Sequence, residues 1–246
     1  MTDLTLEKQI NARYSDSDCN QRIKPFSLLN FFQEMAAQSA ENLGFGFSAI
    51  YPKHLMWVLL KYRIEFTHYP SHDEPLTIKT QPRGYNRLFA YREFEVFSGN
   101  QLCARAFSVW ALVDSETLAI AQVGQVLADN KNMVKFTPKE TDLKFSKIAA
   151  LTQTDFEETF KVRYNDIDVN KHANNGCYIV WALEPLPYEW QHNKTLKNVD
   201  ILFKKEIKYG ETVTSKVQML DKHTTLHAVT NATTQEELCL IKCEWE

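Results

Sequence analysis

Glycine is scarce, with seven in 246 residues against eight prolines. That excludes collagen-like and glycine-rich low-complexity chains and leaves room for long, uninterrupted strands and helices. The five cysteines (Cys19, Cys103, Cys177, Cys239, Cys243) form an odd set without a CxxC pair. This argues against a disulfide framework and against a zinc site, so the thiols are expected reduced. No stretch approaches the roughly 20 apolar residues of a membrane-spanning helix. The opening MTDLTLEKQI has no basic segment followed by an apolar run, so no secretory signal is expected and the cytoplasm is the default location. There is no basic tract either. The 28 Lys and Arg against 31 Asp and Glu leave a net charge of −3, which speaks against nucleic acid as a partner.

What is present is apolar and patterned: 44% of residues are hydrophobic and 12% aromatic, enough for a substantial core. The decapeptide RYSDSDCNQR at 13–22 returns 150 positions later as RYNDIDVNKH at 163–172. After the first copy, PFSLLNFFQEMAAQSAENLGFG (25–46) repeats its apolar residues at three- and four-residue spacing, which predicts a helix. Pro25 suits its start and Gly44 and Gly46 its end. Strand-like stretches follow at 56–66, 76–81, 89–97 and 102–113. In the third of these Tyr91, Glu93 and Glu95 alternate with Arg92, Phe94 and Val96. The second half repeats the order: a strand at 156–164, a helix at 173–186, then strands at 199–208, 212–220, 224–233 and 238–246. Strand, polar loop, buried helix and antiparallel strands, written twice, predict an internal duplication. The expected fold is α+β: an N-terminal unit at 1–137, a linker at 138–154 and a C-terminal unit at 155–246, pairing through their sheets.

In the second copy Asp166, Asp168, Asn170 and His172 share one parity, so an extended segment points them to one side. A helix follows for which Asn174 or Asn175 can serve as N-cap, setting the group against the positive end of a helix dipole. The D-x-D-x-N spacing is not a calcium loop, because Lys171 and Cys177 stand where glycine and glutamate are required. His172 has no second histidine or cysteine at zinc-ligand spacing. The plainest reading is that such residues only cap a helix and tie a loop. Against it stands the difference between the copies: the first ends in Arg22, which cannot titrate near neutrality, and the second in His172, which can.

The run DIDVNKHANNGCYIVWALEP, with FSLLNFFQEMAAQSAENLGFGF, MWVLLKYRIEF and RAFSVWALVD, resembles acyl-acyl-carrier-protein thioesterases of the bacterial type without a transit peptide. The resemblance covers almost the whole chain and implies two tandem hotdog domains, each an antiparallel sheet around a central helix. It implies a catalytic set of Asp168, Asn170 and His172, completed by Glu206 on a following strand. Where plant relatives carry a cysteine after that glutamate, this chain has Ile207. Tyr69 is the counterpart of Glu206 in the first copy, which is thereby expected to be silent. The first repeat supplies the acyl pocket, with Phe32, Met35 and Trp57 as candidate liners and Asn174 and Asn175 as further substrate contacts. The implied reaction is hydrolysis of fatty acyl-acyl carrier protein to free fatty acid and carrier, with no cofactor and no metal. An acidic carrier protein asks for local positive charge, for which Lys204, Lys205, Lys208, Arg83, Arg87 and Arg92 are candidates. The fold also admits a 3-hydroxyacyl thioester dehydratase or a non-enzymatic acyl-thioester sensor. Homodimerisation stays open, since tandem repeats can pair within one chain.

Overall fold

The computed structural model describes residues 4–246. The first half runs β1 (Leu6–Asn11), α1 (Pro25–Asn42), the short helix α2 (Phe47–Ile50), β2 (Leu55–Phe66), β3 (Pro75–Tyr85), β4 (Phe89–Ser98), β5 (Gln101–Asp114) and α3 (Val123–Val126). The second runs β6 (Phe156–Lys161), α4 (Asn175–Leu183), α5 (Tyr188–Asn193), β7 (Leu196–Phe203), β8 (Thr212–Met219), β9 (Thr224–Asn231) and β10 (Glu237–Trp245). Residues 136–155 contain neither helix nor strand.

All ten strands belong to one antiparallel sheet in the order β1-β3-β4-β5-β2-β7-β10-β9-β8-β6. The order is a mirror about its centre, so each half is a five-stranded sheet with the same connectivity, wrapped on its own helix. This is the expected tandem hotdog arrangement. The halves join where β2 pairs with β7, Lys61–Glu65 opposite Leu202–Asn198.

Local chemistry explains the two central helices. Pro25, with its φ preset and its missing N–H harmless in the first turn, starts α1, and Gly44 at φ +78° ends it in the left-handed region. Phe32, on the sheet side of α1, stacks on Phe94 with ring centroids 4.6 Å apart and lies beside Tyr62. The helix α4 packs on α1 at Gly176, where a Cβ would come within 2.9 Å of the Phe26 ring and 3.0 Å of Asn30 Oδ1. Only glycine lets the two backbones approach this closely.

Candidate active site

The loop between β6 and α4 is shaped by its own side chains. Asp166 Oδ2 accepts the backbone N–H of Arg163 at 2.8 Å, and Oδ1 accepts its guanidinium at 2.8 Å. Asp166 is 3% exposed and clamps a single 3-10 turn, Tyr164–Asp166. Beyond it, Asp168 Oδ1 accepts the Asn170 N–H at 2.8 Å, and Lys171 adopts a left-handed φ of 67°. This Asx-type turn lets the Asp168 N–H reach the His172 carbonyl at 2.9 Å. The shared parity expected of an extended segment is thus corrected. The loop is a tight turn, and it brings Asp168, Asn170 and His172 to the wall of one cavity while Asp166 points into the protein.

Asn174 is the N-cap of α4, its Oδ1 accepting the Gly176 N–H at 2.7 Å. Asn175, the first helical residue, keeps a backbone N–H without an intrahelical acceptor, as first-turn residues do. Its side chain donates to Gln33 Oε1 at 3.0 Å. Gln33 reaches the site from the other repeat and was not singled out from the sequence. The signal was its spacing: Gln33, Ala36, Ala37 and Ala40 lie at i, i+3, i+4 and i+7, one face of α1, and all four line the cavity.

Glu206 corrects a second expectation, because β7 ends at Phe203 and the glutamate lies beyond the strand. The N–H groups of Lys204 and Lys205 both turn to the Leu238 carbonyl, at 2.8 and 3.2 Å, and the chain leaves the ladder. Three residues on, the Ile207 carbonyl accepts the Ala173 N–H at 2.9 Å, and the Ile207 side chain is buried. Held between these anchors, Glu206 Oε2 lies 3.0 Å from His172 Nδ1. This is an ion-pair contact on the Nδ1 side of the ring, and it sets a carboxylate beside the imidazole. Asp168 spends its carboxylate on the turn.

The first copy has the same backbone and different chemistry. Asp18 N–H bonds the Arg22 carbonyl at 2.8 Å, Gln21 has φ 66°, and Ile23 N–H bonds the Pro70 carbonyl at 3.2 Å. These match Asp168 with His172, Lys171, and Ala173 with Ile207, so Tyr69 takes the place of Glu206. Arg22 pairs with Asp18 at 2.9 Å, donates to the carbonyls of Lys194 and Gln191 at 2.9 and 3.1 Å, and lies over the Tyr69 ring, 6.0 Å from its centroid. The equivalent position is filled by the chain itself.

A cavity of about 1180 Å³ begins at His172 and Glu206 and runs along α1 to Phe45 and Ile50. Trp57 lines it, with Nε1 donating to the Phe45 carbonyl at 2.9 Å. Phe32 and Met35 do not. At 0% and 2% exposed they are core residues on the sheet side of α1, and the alanines of its other face make the space. Of the candidate carrier-protein cations, Lys204, Lys205, Lys208 and Arg87 are exposed. Lys204 is paired with Glu237 and Lys205 with Glu236. Arg83 is buried between Glu93 and Asp142, and Arg92 is 4% exposed inside the cavity wall, so neither is a surface contact.

Comparison with known proteins gives these observations a family. Residues 3–129 match the acyl-ACP thioesterase N-terminal domain and residues 149–246 the C-terminal domain. An oleoyl-acyl carrier protein thioesterase of Coriandrum sativum is 25% identical over 230 residues, 86% of this chain, which spans 62% of that relative's length. A structure from Lactobacillus plantarum, described as an oleoyl thioesterase, superposes with a TM-score of 0.87 at 27% identity, covering 98% of this chain and 96% of its own. An acyl-ACP thioesterase from Bacteroides thetaiotaomicron gives a TM-score of 0.85 at 24% identity, over 99% of this chain and 98% of its own, and so shares the fold. Matched in order by the two halves of one family over most of its length, the chain belongs to the acyl-ACP thioesterases.

Proposed function

We propose that the protein hydrolyses the thioester of fatty acyl-acyl carrier protein to free fatty acid and carrier, at the second copy of the duplicated motif. The observation that carries this reading is the His172 and Glu206 pair, Nδ1 to Oε2 3.0 Å, at the mouth of a largely apolar cavity of about 1180 Å³. The names of the curated relatives support the carrier-bound substrate.

A thioester needs a nucleophile and a place for the oxyanion more than a strong acid, since its leaving thiol ionises near pH 8.5, taking cysteine as proxy. The Glu206 side chain is 44% exposed, so water has access to it. That favours the general-base route: Glu206 takes a proton as the water oxygen bonds to the carbonyl carbon. The Asn175 N–H at the start of α4 and the Asn170 amide donate to the oxyanion. Collapse breaks the C–S bond, and the thiolate receives the proton held by the Glu206 and His172 pair. No thiol takes part, since Ile207 occupies the position after the glutamate. Asp168 holds the turn that aims Asn170. The exposed Lys204 and Lys205 line the cavity beside Glu206, with the exposed Lys208 two residues beyond it in sequence, and an acidic carrier would present its phosphopantetheine arm on this side.

The test is free fatty acid released, by mass spectrometry, from a panel of C8 to C18 acyl carrier proteins, with Glu206→Ala and His172→Ala alongside. Release that collapses in both variants is expected; intact substrates across the panel would sink the reading.

A further inference from the structure

Among the described residues, Arg92 is the one buried cation in the wall of this cavity, where Lys204 and Lys205 are exposed. The alternation of β4 puts it on the buried side with Phe94 and Val96. A guanidinium carries five N–H donors. Here Nη1 donates to Ser39 Oγ on α1 at 3.0 Å and to Thr80 Oγ1 on β3 at 3.1 Å, both neutral hydroxyls. Among the described residues no carboxylate lies within ion-pair distance, and Nε and Nη2 have no acceptor. Tyr62, wholly buried, has a hydroxyl with no hydrogen-bond partner. It stands near enough to Arg92 for each to influence the other's ionisation. Burial pulls the Arg92 guanidinium down to about 10, so it remains a cation at neutral pH.

Buried charges are normally paired. This one faces space that a ligand enters. Gln33, bonded to Asn175 at the reacting end, and Ser39, bonded to Arg92, are six residues apart on α1, about 9 Å along the helix. The guanidinium therefore stands beside the middle of a long acyl chain and beyond the end of a short one. A plain hydrocarbon passing it displaces water and leaves charged donors unpaired, whereas a chain with an oxygen at that depth satisfies them.

We propose that Arg92 forms an oxygen-recognising subsite part-way down the acyl cavity, so that the preferred long chains carry a hydroxyl or keto oxygen well away from the thioester. This rests on the thioesterase reading. Wild type is given octadecanoyl-acyl carrier protein and its isomers hydroxylated at positions 9 to 12, and kcat/KM is compared within the set. In parallel, calorimetry compares binding of the matching free acids, which needs no turnover. One hydroxy isomer is expected to exceed the plain chain by about tenfold or more in both measurements. The ratio is expected to fall towards one in Arg92→Leu and to be partly kept in Arg92→Lys. Equal or weaker use and binding of every hydroxy isomer by wild type overturns the subsite, as does a preference that survives in Arg92→Leu. Zero release from every chain overturns the hydrolase reading instead, and the binding ratio still decides the subsite. Should the leucine variant not fold, the wild-type ratio and the lysine variant decide it.

Discussion

His172 and Glu206 lie 34 positions apart in sequence and 3.0 Å apart in space, and the pair is the sharpest chemical difference between the two repeats. Glu206→Gln keeps the shape and a polar neighbour for the imidazole but removes the base. It is expected to lower kcat/KM for acyl-carrier-protein hydrolysis by about 100-fold or more. Introducing Arg22→His into that variant should restore nothing, because Tyr69 and not a carboxylate stands opposite; fatty acid release measured on both variants checks this. At this scale the sequence was legible where residue type alone carries the chemistry, as at His172. It was less so where direction matters. Arg92 shares parity with Phe94 and Val96, a pattern that points inward, yet its charge suggests a surface role. Phe32 and Met35 have the right type for a fatty pocket, but the pocket lies where α1 has alanine. Space is made by what a side chain lacks.

The helix α4 carries the site at its first turn and is held at its last. Trp245 Nε1 donates to Thr225 Oγ1 at 2.9 Å, and Thr225 donates to His227 Nε2 at 2.8 Å. His227 Nδ1 donates to the Ala182 carbonyl at 2.6 Å. This chain fixes His227 as a neutral ring, and burial pushes it down to about 4 from an ordinary value near 6.5. Between those values the unfolded state binds the extra proton, so stability rises with pH. The contribution is complete above about pH 6.5 and is lost as pH falls towards 4, by about 3 kcal/mol in all. Urea unfolding across that range should show this slope, and His227→Asn should flatten it. At the other end, Asn174→Ala removes the cap and should cost about 1 kcal/mol. Gly176→Ala should cost about 1 to 3 kcal/mol by forcing α4 off α1, and thermal unfolding of the two variants measures both. Elements were readable where periodicity coincides with hydrogen bonding. They were misread where it does not: apolar Val199, Ile201, Phe203 and Ile207 share one parity, which extends the strand pattern across the exposed Lys205 and past the point where the ladder ends.

At the scale of the molecule, the spacing of 150 residues announced two like units, but not which edges meet. The seam is β2 against β7, and its centre is polar. Arg63, 8% exposed, sits directly opposite Asp200, 2% exposed, with Nη1 to Oδ2 at 2.5 Å. Arg63 also bonds Glu65 at 2.8 Å, and Asp200 Oδ1 accepts the Ser146 N–H at 3.0 Å, which ties the connecting segment to the seam. In sequence these two residues look like the solvent side of alternating strands, because the segment that covers them has no period of its own. Removing Asp200 leaves Arg63 with Glu65 as its remaining carboxylate and the Ser146 N–H without its acceptor, so Asp200→Ala should cost about 1 to 3 kcal/mol. Replacing both, Arg63→Met with Asp200→Leu, removes the desolvation penalty along with the attraction and should recover most of that loss. The sheet is continuous, so the loss should appear as a lower denaturant midpoint of one transition covering both repeats. Two separated transitions in Asp200→Ala would mean that the repeats fold independently and that the ion pair, more than the β2 and β7 ladder, couples the cavity in one half to the His172 and Glu206 pair in the other.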